Sequence, residues 1–340
     1  MRSKRTVKNT KKPKGPARSA RERVRTFLKL FGGQDSVLIT INADPDAMAS
    51  ALAVKRLLWK HAHRTQIAYI NEIQRLDNLA MMELLKIPME KMSKVSVKDF
   101  THKVLVDSQP SHSEIFETLR YDAIIDHHPI VKKWNAPYVD IRPEYGANST
   151  ILIEYLREAG IKPSRPLATG LLYGIKTDTA NFERGGNEKD VRQFQYIFPY
   201  VNMNVLRKIE RSELRDTDLR YFETALANRI VTKRGIYSHL GKVPSGDICV
   251  QVADFFNRVH GMGWTFVSGV YEGNVIVIIR NDGYRKDAGK LVGRAFGHLG
   301  LAGGHSGAAR AEIPLETLRQ MGIKGYGTAL GRFIRGRLKF

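Results

Sequence analysis

The chain has 340 residues with 55 Lys and Arg against 34 Asp and Glu, a formal net charge of +21. That length suffices for two domains with separate cores, and the single Cys249 excludes an intrachain disulfide. No apolar stretch approaches the roughly 20 residues of a membrane span, and residues 1–25 lack the apolar centre of a secretory signal, so the cytoplasm is the expected location.

In chain order, residues 1–25 hold eleven Lys or Arg against the single acid Glu22. Polar composition with Pro13 and Pro16 marks residues 1–20 as disordered in isolation, with a helix beginning near Ala20. Blocks of basic charge grip nucleic-acid phosphates without sequence preference, so nucleic acid is the expected partner of this tail.

Four acidic clusters follow. The strand-like run Ser36-Val37-Leu38-Ile39-Thr40-Ile41 leads into Asn42-Ala43-Asp44-Pro45-Asp46 and then a helix start at Ala47. Val104-Leu105-Val106 ends in Asp107-Ser108. Ala123-Ile124-Ile125 ends in Asp126-His127-His128. Leu171-Leu172-Tyr173 leads through Gly174 to Asp178, read as a fourth strand end. Thr150, ahead of Ile151-Leu152-Ile153, reads as a helix N-cap.

The carboxyl ends of parallel strands line one crevice in open α/β sheets, so the clusters are expected to converge. Carboxylates packed together need cations to offset their repulsion. Mostly oxygen donors with some imidazole and no thiolate suit Mn²⁺, with Mg²⁺ as the alternative, better than structural zinc.

These four motifs, in this order, resemble the Asp-His-His (DHH) phosphoesterase superfamily, in particular its branch of nanoRNases, pAp phosphatases and cyclic-dinucleotide phosphodiesterases. The resemblance implies metal ligation by Asp44, Asp46, Asp107, His127 and Asp178, with Asp107 bridging two ions. His128 would face the substrate phosphate and Asp126 would orient the histidines. The family's first motif opens with a histidine where Thr40 stands, which implies one weakened metal site; Asn42, on the same strand face, could offer an amide oxygen.

The resemblance continues at Gly303-Gly304-His305-Ser306-Gly307, which is similar to the glycine-rich motif of the family's accessory DHHA1 domain. It implies substrate contacts from Gly303, Gly304, His305 and Ser306. The strand Asn274–Arg280 would deliver Arg280 to the same cleft, where a guanidinium suits phosphate. Arg310 stands where the family commonly has glycine. The last residues, Gly331-Arg332-Phe333-Ile334-Arg335-Gly336-Arg337-Leu338-Lys339-Phe340, interleave basic and apolar side chains and again suggest nucleic acid.

The expected architecture is α/β: a basic tail (1–25), an N-terminal parallel-sheet DHH catalytic domain (30–185), a helical connector (186–230) and a smaller C-terminal α/β DHHA1 domain (231–340). The implied activity is manganese-dependent hydrolysis of short oligoribonucleotides or linear dinucleotides to 5′-mononucleotides, and of pAp to AMP and phosphate. Alternatives are a RecJ-like single-strand exonuclease, a nucleic-acid-binding protein with activity reduced by Thr40, and, less favoured, an exopolyphosphatase or inorganic pyrophosphatase. A homodimer is left open.

Overall fold

Ser36–Ile41 (β1) is apolar at nearly every position because both faces of the strand are covered, as expected for the middle of a parallel sheet. The computed structural model describes residues 19–339 apart from 184, 213, 234 and 282–285. Most of the basic segment expected over 1–25 therefore lies outside the described residues. The chain divides into two compact units, Met1–Ser212 and Glu213–Phe340.

In the first unit, β1 is followed by β2 (Arg64–Tyr69), β3 (Met89–Lys91), β4 (His102–Val106), β5 (Ala123–Asp126) and β6 (Tyr138–Ile141). Every pairing is parallel, in the order β3-β2-β1-β4-β5-β6. Strand order reverses between β1 and β4, and in such doubly wound sheets that switch point opens a crevice beyond the strands' carboxyl ends. Asp44 and Asp46 follow β1, and Asp107 follows β4.

The helices of this unit are α1 (Ala20–Leu28), α2 (Pro45–Leu58), α3 (Leu76–Leu84), α4 (Glu114–Glu117), α5 (Asn148–Glu158), α6 (Arg165–Asp178), α7 (Glu188–Ile197) and α8 (Met203–Glu210). Val37, Ile39 and Ile41 face the larger core with Met48, Val54, Ile151, Leu171 and Ile175. Leu105 and Ile124 face a smaller cluster with Phe116 and Tyr121 on the opposite side. α1 starts where the sequence places it, with the Ser19 hydroxyl accepting from Glu22 N.

The second unit holds α9 (Leu219–Ala227), β7 (Ile230–Thr232), β8 (Gly235–Lys242), α10 (Gly246–Phe256), β9 (Trp264–Tyr271), β10 (Asn274–Asn281), α11 (Ala288–Phe296), β11 (Leu301–Gly304), β12 (Ala308–Pro314), α12 (Leu315–Gln320) and α13 (Thr328–Leu338). Its sheet runs β11-β12-β10-β9-β8-β7, antiparallel except for β8 against β9. Alternation along β10 sends Val275, Val277 and Ile279 toward Val292, Phe296 and Ile334, and Ile276 and Ile278 toward Ile248, Val252 and Phe256. Segment 186–230 is divided: α7 is held to the first unit by Asp190, which accepts from Gly146 N and the Thr150 hydroxyl, whereas Ala225 of α9 is buried in the second.

Two local readings are corrected. Leu171-Leu172-Tyr173 belongs to α6, which starts behind the Ser164 cap with proline in its first turn; a short apolar run does not by itself distinguish a buried helix from a strand. Asp178 is thus the last residue of a helix rather than a strand end. Thr150 lies inside the first turn of α5, whose cap position is Ala147, and its hydroxyl bonds Asp190.

Candidate metal centre

Each acidic side chain is placed by a local rule. Asp44 occupies the N-cap of α2 in extended conformation, and its carboxylate accepts from Ala47 N at 2.9 Å. Asp46, in the first turn, is fully buried and accepts from Asn148 N (2.5 Å) and Ser149 N (2.7 Å) at the start of α5. Gly174 of α6 makes room: a Cβ there would lie 2.5 Å from Ser149 Oγ and 2.9 Å from Asp46 Oδ1. Asp107 directly follows β4 with φ +57°, a left-handed conformation costly for most side chains but tolerated by Asp.

These elements converge on His127. Its Nε2 lies 3.1 Å from Asp178 Oδ2, 3.4 Å from Asp107 Oδ1 and 3.9 Å from Asp46 Oδ2. Its Nδ1 donates to Tyr145 O at 3.2 Å, which turns Nε2 toward the carboxylates, the arrangement usual for a ligating histidine. Two sets of side chains have donor atoms close enough to share a cation: Asp46, His127 and Asp178, and Asp107, His127 and His128. Asp44 belongs to neither set among the described residues.

The residues fit a divalent ion. Asp107 Oδ1 and His127 Nε2 are buried without a well-directed hydrogen bond, as are both polar atoms of the Asn148 side chain and Ser149 Oγ. Such orphans are rare in folded proteins and ask for an occupant. Hard carboxylate oxygens with imidazole and no thiolate match Mn²⁺ or Mg²⁺ chemistry.

Charge states carry the same message. Burial pushes Asp44 up to about 6, and burial with repulsion from Asp178 pushes Asp46 up to about 6. Burial, then repulsion from Asp46, Asp44 and Asp178, holds Asp107 well above the carboxylate range, and Asp178 is also raised, chiefly by burial. Burial opposes charge on His127, but the Asp178 carboxylate at 3.1 Å and the Asp46 charge prevail and raise it to about 9. Without a cation, protons take the place of positive charge.

His128 projects from this cluster, and its Nδ1 donates to Asp126 Oδ1 at 2.7 Å, which raises its pKa. Asp126 therefore orients His128, while a backbone carbonyl orients His127. The sequence reading missed two neighbours. Gln109, fully buried, donates Nε2 to Asp126 Oδ2 (2.8 Å) and Pro129 O (3.0 Å), and its Oε1 accepts from Trp134 Nε1 (3.0 Å). The His112 ring packs edge-on against His128 at 5.3 Å between centroids. Position Gln109, two residues beyond Asp107, is the signal that could have found it.

Thr40 offers no imidazole. Its hydroxyl lies 3.4 Å from Val104 O and 3.3 Å from Tyr121 Oη, while Asn42 is exposed beyond the end of β1.

In the second unit, the residues expected to meet substrate have structural work of their own. Arg280 is paired through Nε with Asp254 Oδ1 of α10 at 2.7 Å. The His305 and Ser306 carbonyls accept from Gly289 N (3.0 Å) and Ala288 N (2.8 Å), so the loop satisfies the first amides of α11. A Cβ on Gly304 would lie 2.4 Å from Ala308 O, and one on Gly289 2.4 Å from Gly304 O. Glycine is required by close backbone approach, whatever the loop binds. The His305 and Ser306 side chains remain exposed. Arg310 sits mid-strand on β12 beside Glu312 at 2.8 Å, so its place is not a turn.

Residues 36–175 match the DHH family, N-terminal domain. An uncharacterised protein of Methanocaldococcus jannaschii is 34% identical over 289 residues, covering 85% of this chain and 59% of its own length. A protein of Deinococcus radiodurans described as a probable manganese-dependent inorganic pyrophosphatase is 28% identical over 173 residues, covering 48% of this chain and 53% of that protein. The chain thus spans little more than half the length of these relatives. An exopolyphosphatase-related protein from Bacteroides fragilis shares the fold, with TM-score 0.70, 15% identity and coverage of 93% of this chain and 95% of that one. Residues 36–175, with a carboxylate–imidazole cluster at the switch point of their parallel sheet, thus carry the N-terminal domain of the DHH family.

Proposed function

We propose that this protein is a Mn²⁺-dependent phosphoesterase that hydrolyses short oligoribonucleotides or linear dinucleotides to 5′-mononucleotides, with pAp as a further substrate. The observation that carries a metal-dependent reaction is the set of orphaned ligand atoms around Asp46, Asp107, His127 and Asp178. These four residues would hold the better-formed ion; Asp44 and Asp107, lacking an imidazole at Thr40, would hold a second one weakly. Bound divalent cations supply Lewis acidity toward a phosphoryl oxygen and activate a water for attack.

The chain's own residues supply the rest. His128, held by Asp126 and favoured in its protonated form, places a positive donor where a non-bridging phosphate oxygen gains charge. Gln109, through Asp126, and the Tyr145 carbonyl hold the two imidazole rings in fixed orientations. Gly303, Gly304, His305 and Ser306 are assigned to substrate recognition through the resemblance of their motif to a DHHA1 domain, and Arg280 of β10 is assigned with them. The net charge of +21 favours a polyanionic substrate class and supports a nucleic-acid role for the basic termini.

A second reading, hydrolysis of pyrophosphate or inorganic polyphosphate, is favoured by the name of the Deinococcus relative. One assay separates the two: Mn²⁺-dependent release of mononucleotide from a 5′-labelled RNA ladder of two to about twenty nucleotides, run beside phosphate release from pyrophosphate and polyphosphate. Turnover of the shortest RNAs, lost in Asp107→Ala, is the expected result. Phosphate release without RNA turnover establishes the second reading, and metal-independent RNA binding without turnover establishes a binding protein.

A further inference from the structure

Residues 331–338 of the basic C-terminal segment belong to α13, with Leu330, Ile334 and Leu338 buried along one face. Its arginines Arg332 and Arg335 line the wall of a cavity of about 320 Å³ bounded also by α9 and β8. We propose that this cavity is a binding site for a phosphomonoester of mononucleotide size, separate from the metal centre and formed wholly within the second unit.

Three features of the cavity support this ligand. Arg332 and Arg335 stand three residues apart on one helix face, where like charges repel, and among the described residues neither is paired with a carboxylate. No residue lining the cavity is acidic, so an anion would relieve the repulsion, and guanidinium forks match phosphate geometry. Asn228 adds an amide to the lining, while Ile230 and Leu240 form an apolar side that a phosphate ion alone would leave wet. The volume lies at the lower end of the roughly 300–1,000 Å³ typical of small-molecule sites, which admits one nucleotide and excludes a chain.

The test is methyl NMR of the full-length protein labelled at Ile and Leu, kept in EDTA so that the metal centre is silent, and titrated with AMP and, separately, with inorganic phosphate. The Ile230 and Leu240 methyl signals should move saturably with AMP, and Arg332→Glu should weaken that response by about tenfold or more. Arg332 is exposed, so its replacement leaves the fold intact; Arg335→Gln, checked for a native methyl spectrum, should act in the same direction. Still methyls with millimolar AMP, or a response indifferent to Arg332→Glu, would overturn the proposal. An equal response to inorganic phosphate alone would overturn the organic ligand.

Discussion

The Asp46 carboxylate that faces His127 at 3.9 Å also caps α5, accepting both the Asn148 and the Ser149 amides. The cap position itself, Ala147, has no side chain to offer. Replacing Asp46 by Ala removes two charge-assisted hydrogen bonds and relieves part of the repulsion with Asp178. Because the Asn148 and Ser149 amides would be left without a partner in a buried place, Asp46→Ala should lower the unfolding free energy of the metal-free protein by about 1–2 kcal/mol. Urea denaturation checks this, and an unchanged midpoint would show that the cap is not stabilising.

Asp107 should behave in the opposite way. Its pKa is held far above the carboxylate range, so folding at neutral pH costs free energy to protonate it or to keep it charged. Asn accepts the left-handed backbone at φ +57° and carries no charge. Asp107→Asn should raise metal-free stability by about 1 kcal/mol, the usual exchange of activity for stability at a functional site, while abolishing tight Mn²⁺ binding. Calorimetric unfolding in EDTA and a Mn²⁺ titration measure the two halves separately.

The pH dependence follows from the raised values. Asp44 and Asp46, near 6, and His127, near 9, all lie above their unfolded pKa values. Their stabilising contribution is complete below the unfolded values and is lost as pH rises, between about 4 and 6 for the carboxylates and between about 6.5 and 9 for His127. A cation needs these groups deprotonated, so Mn²⁺ affinity and the Mn²⁺-induced rise in melting temperature should both grow from pH 6 to 9. Calorimetry at pH 7.5 in buffers of different ionisation enthalpy should show net proton release; proton uptake would contradict the assignment.

Gln109 joins the Asp126–His128 pair to the segment that follows it. Gln109→Ala would leave the buried Asp126 Oδ2 and the part-buried Pro129 O and Trp134 Nε1 without this partner. A loss of about 2 kcal/mol in stability and about tenfold in kcat with little change in KM is expected. The Trp134 indole proton resonance should move toward its solvent-exposed position, a change that a general loss of stability would not produce.

Much of the first unit could be read from residues whose pattern is local. The runs ending at Ile41, Val106 and Asp126 are strands because their apolar stretches are short and bounded by turn residues, and their acids follow directly. Asp178 stands at the end of a helix and not of a strand, since the run before it is buried on all sides and carries no helical stripe. Gln109 and His112 were illegible because their partners, Asp126 and His128, are neighbours only across parallel strands. Arg280 sits on the expected strand, but its pairing with Asp254 depends on α10 packing over that strand, which no spacing in the sequence encodes.

The side chains grouped at the candidate metal centre come from distant parts of the first unit's chain, with Asp46 after the first strand and Asp178 at the end of the sixth helix. During synthesis, a ribosome-bound chain that has not yet released residue 178 has a sheet in the making but no complete coordination shell. A divalent cation held there could not template the early steps; it could only lock a topology already assembled, so its capture by a growing chain would time the completion of the domain.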